Sequence, residues 1–100
     1  MKTFAIRRRN AWKSPQELEA VAARSRSIGD NEMSNEVRWI RSYVVAEADG
    51  TLGTVCIYQA VSPEVIRTHA QRVGMPADEI TPVAATVIVR ADPKEFAEAA

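Results

Sequence analysis

The sequence predicts a single α+β domain with the element order βαββαβ. Two segments open with the same serine-proline helix start, one at Ser14 and one at Ser62. Segments rich in β-branched and aromatic residues flank each of them. The length of 100 residues, with 46% hydrophobic and 26% charged, is ordinary for one globular domain. We therefore expect one domain over residues 1–91 and a short helical C-terminal extension over residues 92–100.

The first quarter of the chain predicts a strand followed by a helix. Residues 3–8 alternate around Phe4 and Ile6, as in a short strand, and a polar segment follows. Ser14 is an N-cap, followed by proline at the first helical position and Glu17 at the capping-box position. Apolar spacing continues the helix over residues 15–28, and Gly29 is expected to supply a left-handed cap.

The middle of the chain predicts a β-hairpin. Residues 37–46 and 54–60 are both rich in β-branched and aromatic side chains. Between them, Asp49 and Gly50 form an Asp-Gly turn signal. The second and third strands are therefore expected to be adjacent and antiparallel.

The last part predicts a second helix and a fourth strand. Ser62 starts the helix, and Gly74 followed by Pro76 ends it. Residues 80–90 supply the strand, and Pro82 favours a position at the sheet edge. Together the elements predict a ferredoxin-like fold, a four-stranded antiparallel sheet with two helices on one face, as in the dimeric α/β-barrel type.

Charge and cysteine content bear on which partners and which cellular compartment the protein is expected to have. Net charge is zero, with 13 basic and 13 acidic residues, which disfavours nucleic acid and membrane partners. Residues 54–60 also lack the basic residue, the glycine and the several aromatics of an RNA-recognition strand. No apolar stretch at the N-terminus resembles a signal peptide, so we expect a cytoplasmic protein with its single Cys56 reduced. The consecutive residues Arg7, Arg8 and Arg9 could form a phosphate-binding cluster or a charged strand end that keeps the sheet soluble, and we favour the strand end.

Several short motifs, taken in order, resemble one family of small bacterial proteins. They are a Trp-x-x-x-Tyr strand, a Cys-x-Tyr strand, a His-Ala helix with a Gly-x-Pro exit, and an Ile-Thr-Pro-Val segment, at residues 37–44, 56–60, 69–76 and 80–83. The family is that of the nickel-responsive or nickel-binding proteins, also described as a domain of unknown function, and the likeness extends from about Phe4 to Val83. It implies a ferredoxin-like fold, a homodimer and possible nickel binding, with no established reaction. This sequence departs from the compact form of the family in having a longer hairpin and an extension beyond Val83. It also contains one histidine only.

Cys56 and His69 are the candidate metal ligands. Thiolate and imidazole suit nickel or copper, but two ligands make an incomplete site, which Tyr58, Glu64 or a dimer mate would have to complete. Each residue also has an ordinary interpretation. Cys56 suits a buried strand position, and His69, on the apolar face of the second helix, suits a hydrogen-bonded core position.

Trp39, Arg41, Tyr43 and Tyr58 are the candidate ligand-binding residues. Period-2 alternation places the first three on one face of their strand, and Cys56 with Tyr58 on one face of the next. These positions suit the open sheet face, whereas the aliphatic residues suit the helix-covered face, namely Ile40, Val44, Val55 and Ile57. An open face of this kind is either a dimer interface, which we favour, or a small-molecule cleft. On the open face Cys56 would not reach His69 within one subunit, and the sequence does not settle which face it takes.

The resulting functional hypothesis is a small dimeric binding protein, with nickel as its candidate cofactor and no catalysis of its own. The alternative is an enzyme of the dimeric α/β-barrel type that uses the open sheet face. In that case Arg41 would bind an anionic group, and Tyr43, Tyr58 or His69 would move a proton.

Overall fold

The computed structural model of the chain describes residues 1–93 and confirms the predicted order βαββαβ. The elements are β1 (Lys2–Trp12), α1 (Pro15–Asn31), β2 (Val37–Ala46), β3 (Leu52–Ala60), α2 (Pro63–Val73) and β4 (Glu79–Pro82). The strands form one antiparallel sheet in the order β2-β3-β1-β4. Among residues 1–93 no helix is long and apolar enough to cross a membrane. Most of the predicted extension over residues 92–100 lies outside the described residues.

Both helices begin where the serine-proline pairs predict. The Ser14 hydroxyl accepts a hydrogen bond from the Glu17 amide at 3.2 Å, and the Ser62 hydroxyl accepts one from the Val65 amide at 3.4 Å. These bonds satisfy amide groups that the first turn of a helix leaves free. Gly74 ends α2 in the left-handed conformation, with a φ of 86°.

The expected cap at Gly29 is wrong. The helix α1 continues through this residue to Asn31, and Gly29 is buried in its last turns. A Cβ built on Gly29 would lie 3.5 Å from Nε2 of His69 on α2. The two helices therefore meet at Gly29, where an added Cβ would make an ordinary van der Waals contact with the imidazole.

The fourth strand is shorter than predicted. β4 contains four residues, and the apolar segment Val87, Ile88 and Val89 is not part of it. These three side chains are 77% or more exposed, although they border a groove over the open face of the sheet. Pro82 lacks the amide hydrogen that would extend the ladder, which is consistent with the strand ending there.

The core lies between the two helices and one face of the sheet, which we call the inner face; the opposite face is the outer face. The buried core cluster includes side chains from β1, β3 and α2, among them Phe4, Ile6, Tyr58 and Ile66. This arrangement positions the inner face as the floor of the candidate site.

Candidate functional site

The inner face carries alternate residues of β1 and β3. Phe4 pairs with Tyr58 and Ile6 pairs with Cys56, and all four side chains are buried. The expected placement of Tyr58 on the open face is therefore wrong, and Cys56, whose face the sequence did not settle, lies on the inner face. Both alternating sets of β3 are apolar enough to be buried, so hydrophobicity does not distinguish them, and the register with β1 decides.

The aliphatic residues of the hairpin are also placed differently from the prediction. Val55 and Ile57 alternate with the buried set of β3 and so lie on the outer face. Ile40 is 45% exposed. Val44 pairs with Thr54 on the inner face but is still 44% exposed, and is thus not covered by a helix.

A bulge in β2 separates the candidate ligand-binding residues. Trp39 pairs with Tyr58, and Arg41 pairs with Ile57, which directly precedes Tyr58 in β3. Ile40 is therefore an extra residue in the ladder. One extra residue reverses the faces of all residues that follow it. Trp39 therefore lies on the inner face and Arg41 on the outer face. The prediction that Trp39, Arg41 and Tyr43 share one face is therefore wrong, because Trp39 lies on the face opposite to the other two.

A cavity lies between α1 and the inner face and extends around the edge strand β2; we call it the inner cleft. Its volume is about 1070 Å³. All four candidate ligand-binding residues and Cys56 border it. The other lining side chains include Arg8 and Ser25 as polar groups and Trp12, Leu18, Val21 and Ala22 as apolar groups.

Arg8 is the polar residue of the cleft that the sequence interpretation missed. It is fully buried on β1, on the same face as Phe4 and Ile6. Its Nη1 donates a hydrogen bond to the Pro76 carbonyl oxygen at 2.5 Å, and its guanidinium lies 5.8 Å from the centroid of the Tyr58 ring. The alternation that predicts β1 already puts Arg8 on the buried face, and this signal was outweighed by the run of three arginines.

The neighbours Arg7 and Arg9 behave as the strand-end interpretation predicts. Arg7 forms two hydrogen bonds with the Glu47 carboxylate, at 2.8 and 3.0 Å, and Arg9 pairs with Glu79 at 3.0 Å. Both arginines thus have carboxylate partners, unlike Arg8 within residues 1–93.

Tyr58 and His69 form a buried polar cluster with Ser25 behind the cleft. The Tyr58 and Ser25 hydroxyls are 3.1 Å apart, and the Tyr58 and His69 rings are 5.6 Å apart at a tilt of 59°. Burial raises the pKa of the Tyr58 phenol, which keeps it protonated. Burial likewise lowers the pKa of the His69 imidazole, and the nearby Arg8 charge adds to this effect.

The hydrogen bonding of His69 identifies its tautomer. Nε2 lies 3.1 Å from the Ser25 carbonyl oxygen, and because a carbonyl only accepts, Nε2 carries the proton. Nδ1 then holds a lone pair, and it has no hydrogen-bond partner among residues 1–93. His69 is a neutral, buried residue that links α2 to α1.

The outer end of the cleft is formed by a different set of groups. Asp92 accepts a hydrogen bond from the Tyr43 hydroxyl at 3.0 Å and lies 3.3 Å from the Arg41 guanidinium. The segment after β4 thus reaches the opposite edge of the sheet. Arg41 and Tyr43 are tied to this segment and point away from Tyr58 and His69.

Nickel ligation by Cys56 and His69 was tested against the donor groups present. Within the part of the chain that the structure describes, no three His, Cys, Asp or Glu side chains come together as metal ligands. The Cys56 thiol is buried and donates to the Thr54 hydroxyl at 3.2 Å. The two residues therefore do not make a complete nickel site in residues 1–93, and further ligands would have to come from elsewhere.

Comparison with known proteins bears on the family and the fold. Residues 4–83 match the sequence profile of the family described as "Nickel responsive protein SCO4226-like". The structure is similar to the crystal structure of SCO4226 from Streptomyces coelicolor A3(2), with a TM-score of 0.67 and 19% identity over 85% of this chain and 99% of that chain. At that identity the likeness supports the ferredoxin-like fold alone. No curated protein sequence matches the chain significantly.

Proposed function

The chain belongs to the nickel responsive SCO4226-like family, as its motifs predict, and we propose that it is a binding protein that holds a small molecule in the inner cleft. The observation that carries this proposal is the cleft itself. A cavity of about 1070 Å³ joins apolar side chains to buried polar groups, with charged residues also at its border. Sites for small molecules commonly have this combination, in which apolar surface supplies affinity and a few polar groups fix orientation.

The geometry supports binding better than the enzymatic alternative. In that alternative Arg41 binds an anionic group while Tyr43, Tyr58 or His69 moves a proton. Tyr58 and His69 are buried on the inner side of the sheet, away from Arg41 on the outer face. Tyr43 shares the face of Arg41, but its hydroxyl donates to Asp92. The Tyr58 phenol has a raised pKa, and the His69 Nε2 hydrogen is engaged by a carbonyl. Neither group is therefore prepared to exchange protons near neutral pH.

A neutral fluorescent probe tests the binding proposal. We expect N-phenyl-1-naphthylamine to bind saturably and to brighten on entering the cleft. Ala22→Phe places a ring in the cleft and is expected to abolish this binding. Ala20→Phe, on the exposed side of the same helix, adds the same group elsewhere and serves as the matched control. No binding by the parent protein, or equal binding by the Ala22→Phe variant, would contradict the proposal.

We further propose the homodimer that the family resemblance implies, with the outer face as its interface. Trp39 and Tyr58 lie on the inner face and no longer support this arrangement. The support comes from apolar side chains exposed on or beside the outer face, which are Ile40, Val87, Ile88 and Val89. Light scattering of the parent protein and of Ile88→Glu tests it. We expect a dimer that the glutamate dissociates, and a parent that stays monomeric at all accessible concentrations would refute it.

A further inference from the structure

The buried charge of Arg8 lacks a partner of opposite sign in the described residues. Arg8 is fully buried, yet its side chain forms no ion pair within residues 1–93. An arginine is always ionised at neutral pH, and burying its charge costs free energy unless a counter-charge and hydrogen bonds compensate. One carbonyl bond from Nη1 and the face of the Tyr58 ring compensate only part of that cost.

Arg8 is one of the residues that line the inner cleft. Its Nη2 is buried and has no hydrogen-bond partner among residues 1–93. Buried polar atoms in folded proteins almost always have a partner, so an unpartnered donor of a cleft residue is a candidate to bind an acceptor atom of a ligand. The acceptor that would also neutralise the charge is an anion.

The surroundings of Arg8 indicate which class of anion fits. The hydroxyl groups of Ser25 on α1 and Tyr58 on β3 lie 3.1 Å apart at the cleft, and one of them can donate to a second oxygen atom. Apolar side chains supply another part of the lining, with Trp12, Leu18 and Val21 among them, while the charged residues Arg26, Asp30, Arg41 and Asp92 also border the cleft. A fully hydrated inorganic ion would leave the apolar side chains exposed to water, whereas an organic acid would cover them.

We propose that the inner cleft binds a monocarboxylic acid with an apolar body, whose carboxylate pairs with the free Nη2 of Arg8. This inference rests on the proposed ligand-binding function and specifies its ligand class. The apolar part of the acid lies against the tryptophan and aliphatic walls. The Tyr58 hydroxyl, which remains protonated, is placed to donate a second hydrogen bond to the carboxylate.

Benzoate and its neutral isostere benzamide test the proposal in calorimetric titrations. We expect the parent protein to prefer benzoate, and Arg8→Met to bind benzoate about ten- to a hundredfold more weakly, as the loss of a charge-assisted hydrogen bond predicts. Arg67→Met, the same substitution at an exposed position of α2, is the matched control and is expected to keep parental affinity. Equal affinity for benzoate and benzamide in the parent, or benzoate binding unaffected by Arg8→Met, would overturn the carboxylate assignment.

A second measurement needs no substitution. In the parent protein, the NMR signal of the Arg8 side-chain Nε–H group is expected to shift on titration with benzoate and to stay in place with benzamide. If sulfate moves this signal and benzoate does not, the site takes an inorganic anion and the proposal fails. If the neutral naphthylamine probe binds but benzoate leaves the Arg8 signal unchanged, the cleft binds ligands and only the carboxylate assignment is wrong.

Discussion

The indole ring of Trp39 stacks on the phenol ring of Tyr58, with centroids 6.0 Å apart and an angle of 12° between the planes. The two residues face each other across β2 and β3, just before the extra residue Ile40. The indole N–H also donates to the Ser42 hydroxyl at 2.8 Å. The stack closes one side of the inner cleft, and the hydrogen bond spans the bulge.

Trp39→Leu is expected to destabilise the protein. The aromatic pair contributes about 0.5–1.5 kcal/mol beyond the area it buries, and the leucine also loses the bond to Ser42. Urea denaturation measures the change in unfolding free energy. Tyr43→Leu removes an aromatic ring from the outer face of the same strand and is expected to change stability by at most about 0.5 kcal/mol. Equal effects of the two substitutions would argue against the inner position of Trp39.

Two glycines are predicted to respond to alanine in opposite ways. Gly29→Ala is expected to stabilise the protein by up to about 1 kcal/mol, because alanine favours the helix and its Cβ meets only an ordinary contact with His69. At Gly53 a Cβ would lie 2.5 Å from the Arg8 carbonyl oxygen, and Gly53→Ala is expected to destabilise. Thermal unfolding of both variants provides the comparison. A stable Gly53→Ala protein would show that the strands β1 and β3 do not approach as described.

The caps of the two helices provide a test of their starts. Ser62→Ala and Ser14→Ala each remove one acceptor for a first-turn amide and are expected to cost about 0.5–2 kcal/mol. Ser62→Asp keeps an acceptor and serves as the conservative control. Unchanged stability in both alanine variants would mean that the hydroxyl bonds do not cap the helices.

Stability is expected to fall as pH decreases from about pH 7 through the ordinary histidine range, because His69 has a lowered pKa in the folded state. Below its ordinary pKa of about 6.5, an unfolded His69 takes up a proton that the folded protein resists, so protonation favours unfolding. The depressed pKa values of Glu47 and Asp49 affect stability only at lower pH, around and below the ordinary carboxyl pKa of about 4.

Denaturation across this range, in the parent and in His69→Gln, isolates the contribution of the imidazole. The glutamine amide can still donate to the Ser25 carbonyl but does not titrate. We expect the glutamine variant to lose most of the pH dependence, and the same slope in both proteins would remove His69 as its cause.

Nickel binding through Cys56 or His69 stays a prediction that follows from the family. Calorimetry on the tag-free protein, on His69→Ala and on Cys56→Ser addresses it, with circular dichroism to verify that each variant is folded. We expect any nickel binding to weaken in one of these variants, because thiolate and imidazole are the ligands that nickel prefers. Tight binding unchanged in both would place the metal on other residues. Absence of binding by the parent would separate the family's nickel response from metal ligation by this chain.

Local sequence signals were sufficient for most of the fold. The Ser62 cap, the Gly74 exit and the limits of β2 were all predicted, because capping and β-branched patterning depend on neighbouring residues. The end of α1 was not, because a glycine is compatible with the helix interior as well as with a cap, and α1 continues through Gly29 to Asn31. β4 was overestimated because the apolar segment after Pro82 resembles a strand.

The candidate site was harder to predict, because it depends on which face each strand residue takes. The register shift at Ile40 has no local signature, and it moves Trp39 away from the face of Arg41 and Tyr43. Alternation along β1 did place Arg8 on the same face as Phe4 and Ile6, but a charged side chain is rarely fully buried. Such an exception is informative because it points to an uncompensated charge at the cleft.

The bulge at Ile40 has a further consequence for how separate molecules meet. β2 is an edge strand of ten residues, and a regular edge of that length offers free amide and carbonyl groups to the strands of other chains. An extra residue interrupts the spacing of these groups, and the charged residues Arg38 and Arg41 stand on either side of it. The irregularity that turns Trp39 toward the cleft therefore also protects this edge from sheet-extending aggregation.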